Sequence, residues 1–425
     1  MPDMTLDAFS QSGELSVEAP GIINGFNRIR FYFFRTIEHI RSRCEGLSIH
    51  QEQPAIAEVP GGLVHDLELQ FIQHNDAIVG VYDNDNQPVE ASVTFRGDPT
   101  ERGPGKKETR FDGVIRDGRA AYYLGARAAH YGHFLLETLC RAWAWEKYGE
   151  GAVPILQHAW YLDFARDLFA LVPGLTKRIE VVAAPTRFAN ITVPFPGFVC
   201  AHAAYTEFKA MCMRMAESVL PRSAPMTEQP LFLSRAGLPD LSRRRILGTR
   251  RLEEFLERQG FLVIRPETLP VYEQIALFNR HKWIVAPLGS ACHTRLFSCR
   301  PTNLLMLTKK RFNPNYMLCD QLSEGTAHYG NVFWKPKLGT SAHPGFSEPI
   351  VLDEGKLLAL LKSFDLVREN ATIDGPPPDL ASYKRTWIEM ARAAITEMAK
   401  AAVTENTTTT SLLRDIEVVS ASLDK

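Results

Sequence analysis

The feature that most constrains the fold is a regular alternation of short apolar runs and helical stretches between residues 231 and 307. Such alternation with short loops is typical of a parallel sheet wound in the Rossmann manner. Strands are predicted at 231–233, 261–264, 283–286 and 303–307, with helices at 250–259, 271–280 and 292–299.

A second region of alternating strands and helices precedes this one, from about residue 121 to residue 220. A chain of 425 residues that is 45% hydrophobic exceeds what one core usually organises. The proline-marked segment 221–225 is the predicted linker. We therefore predict two α/β domains, at 51–225 and 226–345. Outside them we predict an N-terminal extension at 1–50, C-terminal helices at 346–402 and a disordered tail at 403–425.

The composition excludes several classes of protein. The 48 basic and 49 acidic residues nearly cancel, which argues against nucleic acid as the main partner. The 7 cysteines are scattered and include no C-x-x-C pair, so neither a disulfide framework nor a thiolate zinc site is indicated. Residues 1–20 do not resemble a signal peptide, and no apolar run is long enough to span a bilayer. We expect a cytoplasmic protein.

Apolar residues recur at helical spacing between residues 22 and 41, with arginines interspersed. This pattern predicts a basic amphipathic helix. Such a helix either packs on its own domain or lies on an anionic membrane, which would be a peripheral contact with the inner membrane.

His133 and Glu137 are four residues apart and must share one face of the helix predicted at 131–148. A histidine paired with a carboxylate can orient or activate a hydroxyl group. The same spacing also fits a capping pair on a surface helix. With His130 the pair could bind zinc, although the H-E-x-x-H pattern is absent.

A first anion-binding candidate follows the strand at 231–233. Ser234 and Arg235 come directly after it, and Arg244 lies in a triple arginine before the next helix. Guanidinium groups at a strand end can clamp a diphosphate, because ligands bind at the carboxyl ends of parallel strands. Charge runs on loops are also commonly just solvated.

Two further loops follow strands of the same sheet. Glu267 is placed to accept hydrogen bonds from ribose hydroxyls, and Gln274 follows in the next helix. Gly289 and Ser290 form a strand-to-helix turn that resembles a phosphate cradle without the Walker A lysine. His293 either contacts the phosphates or packs in the core.

Together these segments resemble glycosyltransferase family 61, most closely its bacterial branch of polysaccharide and glycolipid enzymes. The resemblance covers about residues 120–310 and is carried by GHFLLETL at 132–139, FLSR at 232–235, PE at 266–267, EQI at 273–275, GSACH at 289–293 and Phe297. The chain departs from many members at Gly248-Thr249, where they carry Asn-Glu, and at Leu288, where they carry His.

The resemblance implies a GT-B fold, with two Rossmann-like domains and the active site in the cleft between them. It implies an inverting hexosyl- or pentosyltransferase that needs no metal or other cofactor. The partners would be a nucleotide-sugar donor, bound by domain 226–345, and a glycan or lipid-linked acceptor, bound by domain 51–225. His133 and Glu137 would be catalytic, with Glu137 as general base or as the group that orients it; the residues implied to face the donor are Ser234, Arg235, Arg244, Glu267, Gln274, Gly289, Ser290 and His293.

Two other functions remain open on the sequence alone. One is a catalytically silent scaffold of the same fold that binds a nucleotide or glycan. The other is a metal-dependent hydrolase built on His130, His133 and Glu137.

Overall fold

A computed structural model describes the greater part of the chain. The residues described are 16–17, 28–34, 40, 42, 44–64, 80–94, 113–126, 130–157, 163–175, 178–237, 246–309, 313–334, 350–376, 379, 381–382, 384–385, 387–389, 392, 416–417 and 420–421.

The C-terminal half contains a seven-stranded sheet. In spatial order its strands are Ser16–Val17, Ile29–Tyr32, Ala327–Asn331, Asn303–Thr308, Trp283–Pro287, Leu231–Leu233 and Leu262–Ile264. Only the pairing of the first two strands is antiparallel; every other neighbouring pair in this sheet is parallel. The four strands predicted between residues 231 and 307 are confirmed.

This sheet reverses its winding direction at Leu231–Leu233. From that strand the chain passes to Leu262–Ile264 on one side and then crosses to Trp283–Pro287 on the other. A crevice opens at such a switch point, outside the carboxyl ends of the two strands. The α-helices of this half are Thr249–Arg258, Val271–Arg280, Asn315–Leu322 and Glu354–Ser363. It also contains two 3₁₀ helices, Pro266–Thr268, which includes Glu267, and Ser290–Phe297.

The N-terminal half contains a mixed sheet. Its strands, in spatial order, are Val81–Tyr82, Leu63–Val64, Thr186–Pro194, Ile115–Ala126, Val153–Gln157 and Glu180–Val182, and Ile56–Pro60 also pairs with Thr186–Pro194. The four strands from Thr186–Pro194 onward are parallel. The same half contains the helices Asp163–Ala170 and Thr206–Val219 and the 3₁₀ turn Glu90–Ser92. A small sheet in this half is made of Phe198–Val199, Ala203–Tyr205 and Ser48–His50. A second small sheet, in the C-terminal half, is made of Ile246–Leu247, Ile350–Leu352 and Phe333–Trp334. The chain is thus an α/β protein with parallel sheets.

The prediction of an N-terminal amphipathic helix is wrong at Ile29–Tyr32. These residues form a strand that pairs in parallel with Ala327–Asn331, and Ile29 and Phe31 are buried. Hydrogen bonding to a strand far along the chain has overridden a helical spacing of apolar residues. The rest of the segment 22–41, apart from residues 28, 33, 34 and 40, lies outside the described residues.

The helical stretch predicted at 131–148 is present but irregular. An α-helical turn, Tyr131–His133, leads into a π-helical turn, Phe134–Thr138, followed by 3₁₀ turns at Leu139–Ala144 and an α-helical turn at Trp145–Tyr148. Local π-helical turns are frequent at functional sites, because they re-aim side chains that a regular helix would place elsewhere.

The two sheets share one apolar core. A single cluster of buried side chains runs from Leu124 in the N-terminal sheet through Phe134 and Phe208 to Leu233 and Leu304 in the C-terminal sheet. The ammonium group of Lys209, on the helix Thr206–Val219, is also buried and donates to the carbonyl oxygens of Leu296 (2.9 Å) and Ser298 (2.5 Å). The two halves are therefore packed firmly against each other. In the described part of the chain, no helix combines the length and hydropathy required to cross a membrane.

Candidate active site

A cavity of about 730 Å³ lies at the switch point of the C-terminal sheet. Both halves of the chain contribute to its walls. The N-terminal half supplies His130, Tyr131, Asp163, Phe164 and Asp167. The C-terminal half supplies Leu233, Ser234, Arg235, Pro266, Glu267, Leu269, Pro270, Val271, Gln274, Ala286, Pro287, Gly289, Ser290 and Ala291.

Arg235 and the turn at Gly289 are neighbours in the cavity wall. Nη1 of Arg235 donates a hydrogen bond to the carbonyl oxygen of Leu288 at 3.1 Å, so the two loops are joined. A Cβ atom on Gly289 would lie 3.3 Å from that same Nη1, and only glycine leaves the guanidinium its full room. Ser290 begins the helix Ser290–Phe297, whose first amides carry partial positive charge. The arrangement can hold an anion.

A buried network supports the loop that carries Arg235. The carboxylate of Glu253 accepts hydrogen bonds from Nε (3.1 Å) and Nη2 (2.9 Å) of Arg265 and is bonded by the Ser234 side chain. Burial acts to raise the pKa of Glu253, but the hydrogen bonds from Arg265 and Ser234 outweigh it and the pKa is lowered. Sequence reasoning missed Glu253, because its spacing in Thr249–Arg258 is that of an ordinary helix face.

Glu267 and Gln274 border the same cavity. Glu267 is exposed and packs over Gly237, where any side chain would collide with its carboxylate. Nε2 of Gln274 donates to the carbonyl oxygens of Pro266 (2.8 Å) and Leu269 (3.1 Å). The amide of Gln274 therefore fixes the loop that presents Glu267.

His133 and Glu137 form a dyad on the helical segment that follows His130. Nδ1 of His133 lies 2.6 Å from Oε1 of Glu137. The Glu137 side chain is 6% exposed, whereas that of His133 is 48% exposed. A second weak donor, the thiol of Cys200, lies 3.9 Å from the same carboxylate oxygen. A buried carboxylate on Nδ1 selects the tautomer in which Nε2 is the proton acceptor.

His293 lies behind the cavity wall, where the two halves meet. Its ring stacks on Tyr316 with centroids 4.3 Å apart, and its Nδ1 lies 3.5 Å from the thiol of Cys319. A Cβ atom on Gly132 would approach its Cδ2 to 2.8 Å. Burial, together with the nearby His133 and His130, lowers the pKa of His293 to about 3. His293 is therefore a buried, neutral imidazole near pH 7, packed between the two halves.

Arg244 and His130 are the remaining sequence candidates. Arg244 lies outside the described residues. The rings of His130 and His133 are 5.6 Å apart, centroid to centroid. Within the described ranges, no group of three or more His, Cys, Asp or Glu side chains is arranged to hold a metal ion.

The sequence candidates include none of the cavity residues that come from one helix of the N-terminal half. Asp163, Phe164 and Asp167 all lie on the helix Asp163–Ala170 of the N-terminal half. Nothing in their local sequence distinguishes them from an amphipathic surface helix, and only the packing of the two halves brings them to the cavity.

Part of the chain matches a known protein family. Residues 131–305 match the family described as Glycosyltransferase 61. This region belongs to glycosyltransferase family 61. The family 61 region includes Tyr131 and Asp167 of the N-terminal half and Arg235 and Gly289 of the C-terminal half, so it contains cavity residues from both halves. His133 and Glu137 also lie in this region, but they are not among the residues that line the cavity. The family supports a glycosyltransferase activity, with a sugar donor and an acceptor as ligands. None of the curated proteins matches the chain.

Proposed function

We propose that the protein is an inverting glycosyltransferase that moves a sugar from a nucleotide-sugar donor to a hydroxyl group of a glycan or glycolipid acceptor. The observation that carries this proposal is the cavity at the switch point, with an anion-holding end and a His-Glu dyad on the neighbouring segment. We propose that the two halves correspond to the two Rossmann-like domains of a GT-B fold.

The donor would lie against the C-terminal half. Arg235 and the amides at Ser290 would bind the diphosphate, and they would stabilise the charge that develops on it as the bond to the sugar breaks. Glu267 would accept hydrogen bonds from the ribose. Glu253 and Arg265 would keep the Arg235 loop in place before the donor arrives.

The acceptor would approach from the side of the dyad. Nε2 of His133, with Glu137 on its Nδ1, would take the proton of the acceptor hydroxyl. The acceptor oxygen then forms a bond to the anomeric carbon from the face opposite the diphosphate. The electron pair of the broken bond leaves with the nucleoside diphosphate, and the proton leaves the imidazole to solvent.

We further propose bacterial polysaccharide or glycolipid synthesis as the setting, with the enzyme in the cytoplasm or peripheral to the inner membrane. We expect transfer to need no metal ion. The resemblance of the sequence to the bacterial branch of family 61 supports this setting.

A thermal-shift screen tests the donor site. The full chain is heated with UDP, GDP, CMP and TDP and with their sugars, for the native protein and for Arg235→Ala. A ligand at ~100 times its Kd adds about 2.7 kcal/mol to the free energy of unfolding. We expect one nucleotide class to raise Tm in the native protein, and the shift to shrink in Arg235→Ala. Arg280→Ala, at an exposed helix end, is the matched control and should respond like the native protein.

A rate measurement separates an enzyme from a silent scaffold. The nucleotide sugar that raises Tm is incubated with the protein, and released nucleotide is measured with and without candidate acceptors. Release above the uncatalysed rate, lost in His133→Ala, supports the enzyme. Binding without any release makes the scaffold the better description, and a Tm that responds to no nucleotide removes the proposed function altogether.

A further inference from the structure

The part of the cavity wall that the helix Asp163–Ala170 forms differs in chemistry from the part that carries Arg235. Asp163 and Asp167 are four residues apart on Asp163–Ala170, and Phe164 lies beside them on the same side of the helix. All three line the cavity. The wall therefore combines two carboxylates with an aromatic ring.

This wall is held firmly in place. The ring of Phe164 packs edge to face against Tyr131 at 5.6 Å and against Phe134 at 5.5 Å, centroid to centroid. The next residues on the inner face, Leu168 and Phe169, are buried in the shared core. Side chains on a fixed helix can select a ligand by geometry, because they lose little freedom when it binds.

The charges that line the cavity are distributed unequally. Among the residues that line it, Arg235 supplies a guanidinium group, while Asp163, Asp167 and Glu267 supply three carboxylates. Arg166 lies 3.3 Å from Asp163 and 3.5 Å from Asp167 but is mostly exposed to solvent, so it offsets their charge only in part. Asp167 is the more enclosed of the two, with 27% of its side chain exposed against 89% for Asp163.

Carboxylates and aromatic rings together suit one kind of ligand. An ionised carboxylate can accept hydrogen bonds but cannot donate them, and the vicinal hydroxyl groups of a sugar can donate them. An aromatic ring offers an apolar surface to the C–H face of a sugar. A ligand group that itself carries a carboxylate would be repelled by the aspartates.

We propose that Asp163, Phe164 and Asp167 form a sugar subsite that selects a neutral, hydroxyl-bearing ring over an acidic one, with Asp167 as its specificity-determining residue. This inference rests on the proposed function, since it names the class of sugar for the same cavity. The ring is either the sugar of the donor or that of the acceptor, which share this chemistry.

Calorimetric titration of the full chain tests the subsite with sugars that differ in one group. The probes are UDP, UDP-glucose and UDP-glucuronic acid, and the parallel series GDP, GDP-mannose and GDP-mannuronic acid. In each pair a hydroxymethyl group is replaced by a carboxylate. The variant is Asp167→Asn, which keeps the shape and removes the charge. Glu254→Gln removes an exposed carboxylate from the helix Thr249–Arg258 and is the matched control.

We expect the native protein to bind the neutral nucleotide sugar of one series about tenfold more tightly than its acidic counterpart. In Asp167→Asn this ratio should fall towards one, while the Kd of the free nucleotide is unchanged. Glu254→Gln should behave as the native protein. This outcome assigns the subsite to the donor sugar.

A second titration assigns the ring to the acceptor instead. With the nucleotide saturating, the protein is titrated with glucose, galactose and mannose and with glucuronic acid. Binding of a neutral sugar that is weakened in Asp167→Asn places the ring on the acceptor and supports the subsite. If nucleotides bind but neither titration shows a preference that depends on Asp167, the subsite is overturned and the proposed function stands. If no nucleotide binds, both fall together.

Discussion

At the scale of single residues, the pairing of His133 with Glu137 gives each side chain a role that it could not have alone. Glu137 is buried, so its carboxylate cannot reach a large acceptor directly. The side chain of His133 is half exposed, so it can reach the acceptor. Its tautomer is set by the hydrogen bond of 2.6 Å to Glu137. The imidazole is therefore the better candidate for the base, with Glu137 as its positioning residue.

Replacement of His133 tests this assignment. We expect His133→Ala to lower kcat by about 10²- to 10⁴-fold, because a general base contributes that much, while the Kd of the nucleotide is unchanged. Glu137→Gln should give a smaller loss, since an amide oxygen can still accept from Nδ1. Initial rates of nucleotide release and calorimetry measure the two quantities. A His133→Ala variant with more than half of the native rate would show that the base lies elsewhere.

His293 predicts a dependence of stability on pH. Its pKa is about 3 in the folded protein, compared with 6.5 as the ordinary value. The unfolded chain therefore binds more protons between these values, and stability is lost as pH falls from 6.5 towards 3. Between pH 7 and pH 5 the loss due to this residue is about 2 kcal/mol.

Denaturant titration at several pH values tests this prediction. His293→Phe preserves the stack on Tyr316 and should lose less stability than the native protein between pH 7 and pH 5. His328, whose pKa burial also lowers to about 3, keeps its own contribution in both proteins. Identical slopes in the native protein and in His293→Phe would mean that His293 is not the linked group.

At the scale of elements, the turn from Trp283–Pro287 into Ser290–Phe297 determines how much room Arg235 has. Gly289 has φ −172°, which any residue can adopt, so its lack of a side chain matters only for the guanidinium 3.3 Å away. We expect Gly289→Ala to weaken nucleotide binding about tenfold by displacing Arg235.

Calorimetry and thermal unfolding together distinguish this effect from misfolding. The free energy of unfolding should change by less than about 1 kcal/mol, because the backbone is unstrained. Gly118→Ala, in the strand Ile115–Ala126, adds the same methyl group in open space and is the matched control. Nucleotide binding at native strength in Gly289→Ala would show that the room left by Gly289 is not needed for Arg235 to bind the nucleotide.

Elements of the C-terminal sheet could be predicted because their local pattern and their tertiary role agree. The apolar runs at Leu231–Leu233 and Trp283–Pro287 are fully consistent with buried parallel strands. Ile29–Tyr32 could not be predicted, since its neighbours follow a helical spacing and its partner is at the other end of the chain. Loop residues that follow strands, such as Arg235, could be predicted as ligand-binding candidates, because ligands bind at the carboxyl ends of parallel strands. Asp167 reaches the cavity only through packing between the halves, which no local pattern contains.

At the scale of the whole molecule, the shared core makes the two halves one folding unit. Phe31, near the start of the chain, is fully buried against Phe34 and Tyr329, with ring centroids 5.6 and 5.3 Å away. We expect Phe31→Ala to cost about 3–5 kcal/mol of stability, as for other large side chains removed from a core.

The unfolding transition of this variant shows how the halves are coupled. If the core is shared, Phe31→Ala should lower a single transition that is reported alike by circular dichroism and fluorescence. Ile115→Ala removes an apolar side chain that is 53% exposed and should change stability by less than about 0.5 kcal/mol. Two separate transitions, with only one shifted, would show that the halves unfold independently.

The strand Ile29–Tyr32 also places a demand on biosynthesis. It leaves the ribosome before Ala327–Asn331, the strand beside it, which is made ~300 residues later; that takes about 15–60 s at roughly 5–20 residues per second. During that interval the strand that contains Phe31 has Ser16–Val17 beside it but lacks its neighbour on the other side. One edge of this strand therefore stays exposed until Ala327–Asn331 is made, and we expect chaperones that hold unfolded chains to be most useful to this protein during that interval.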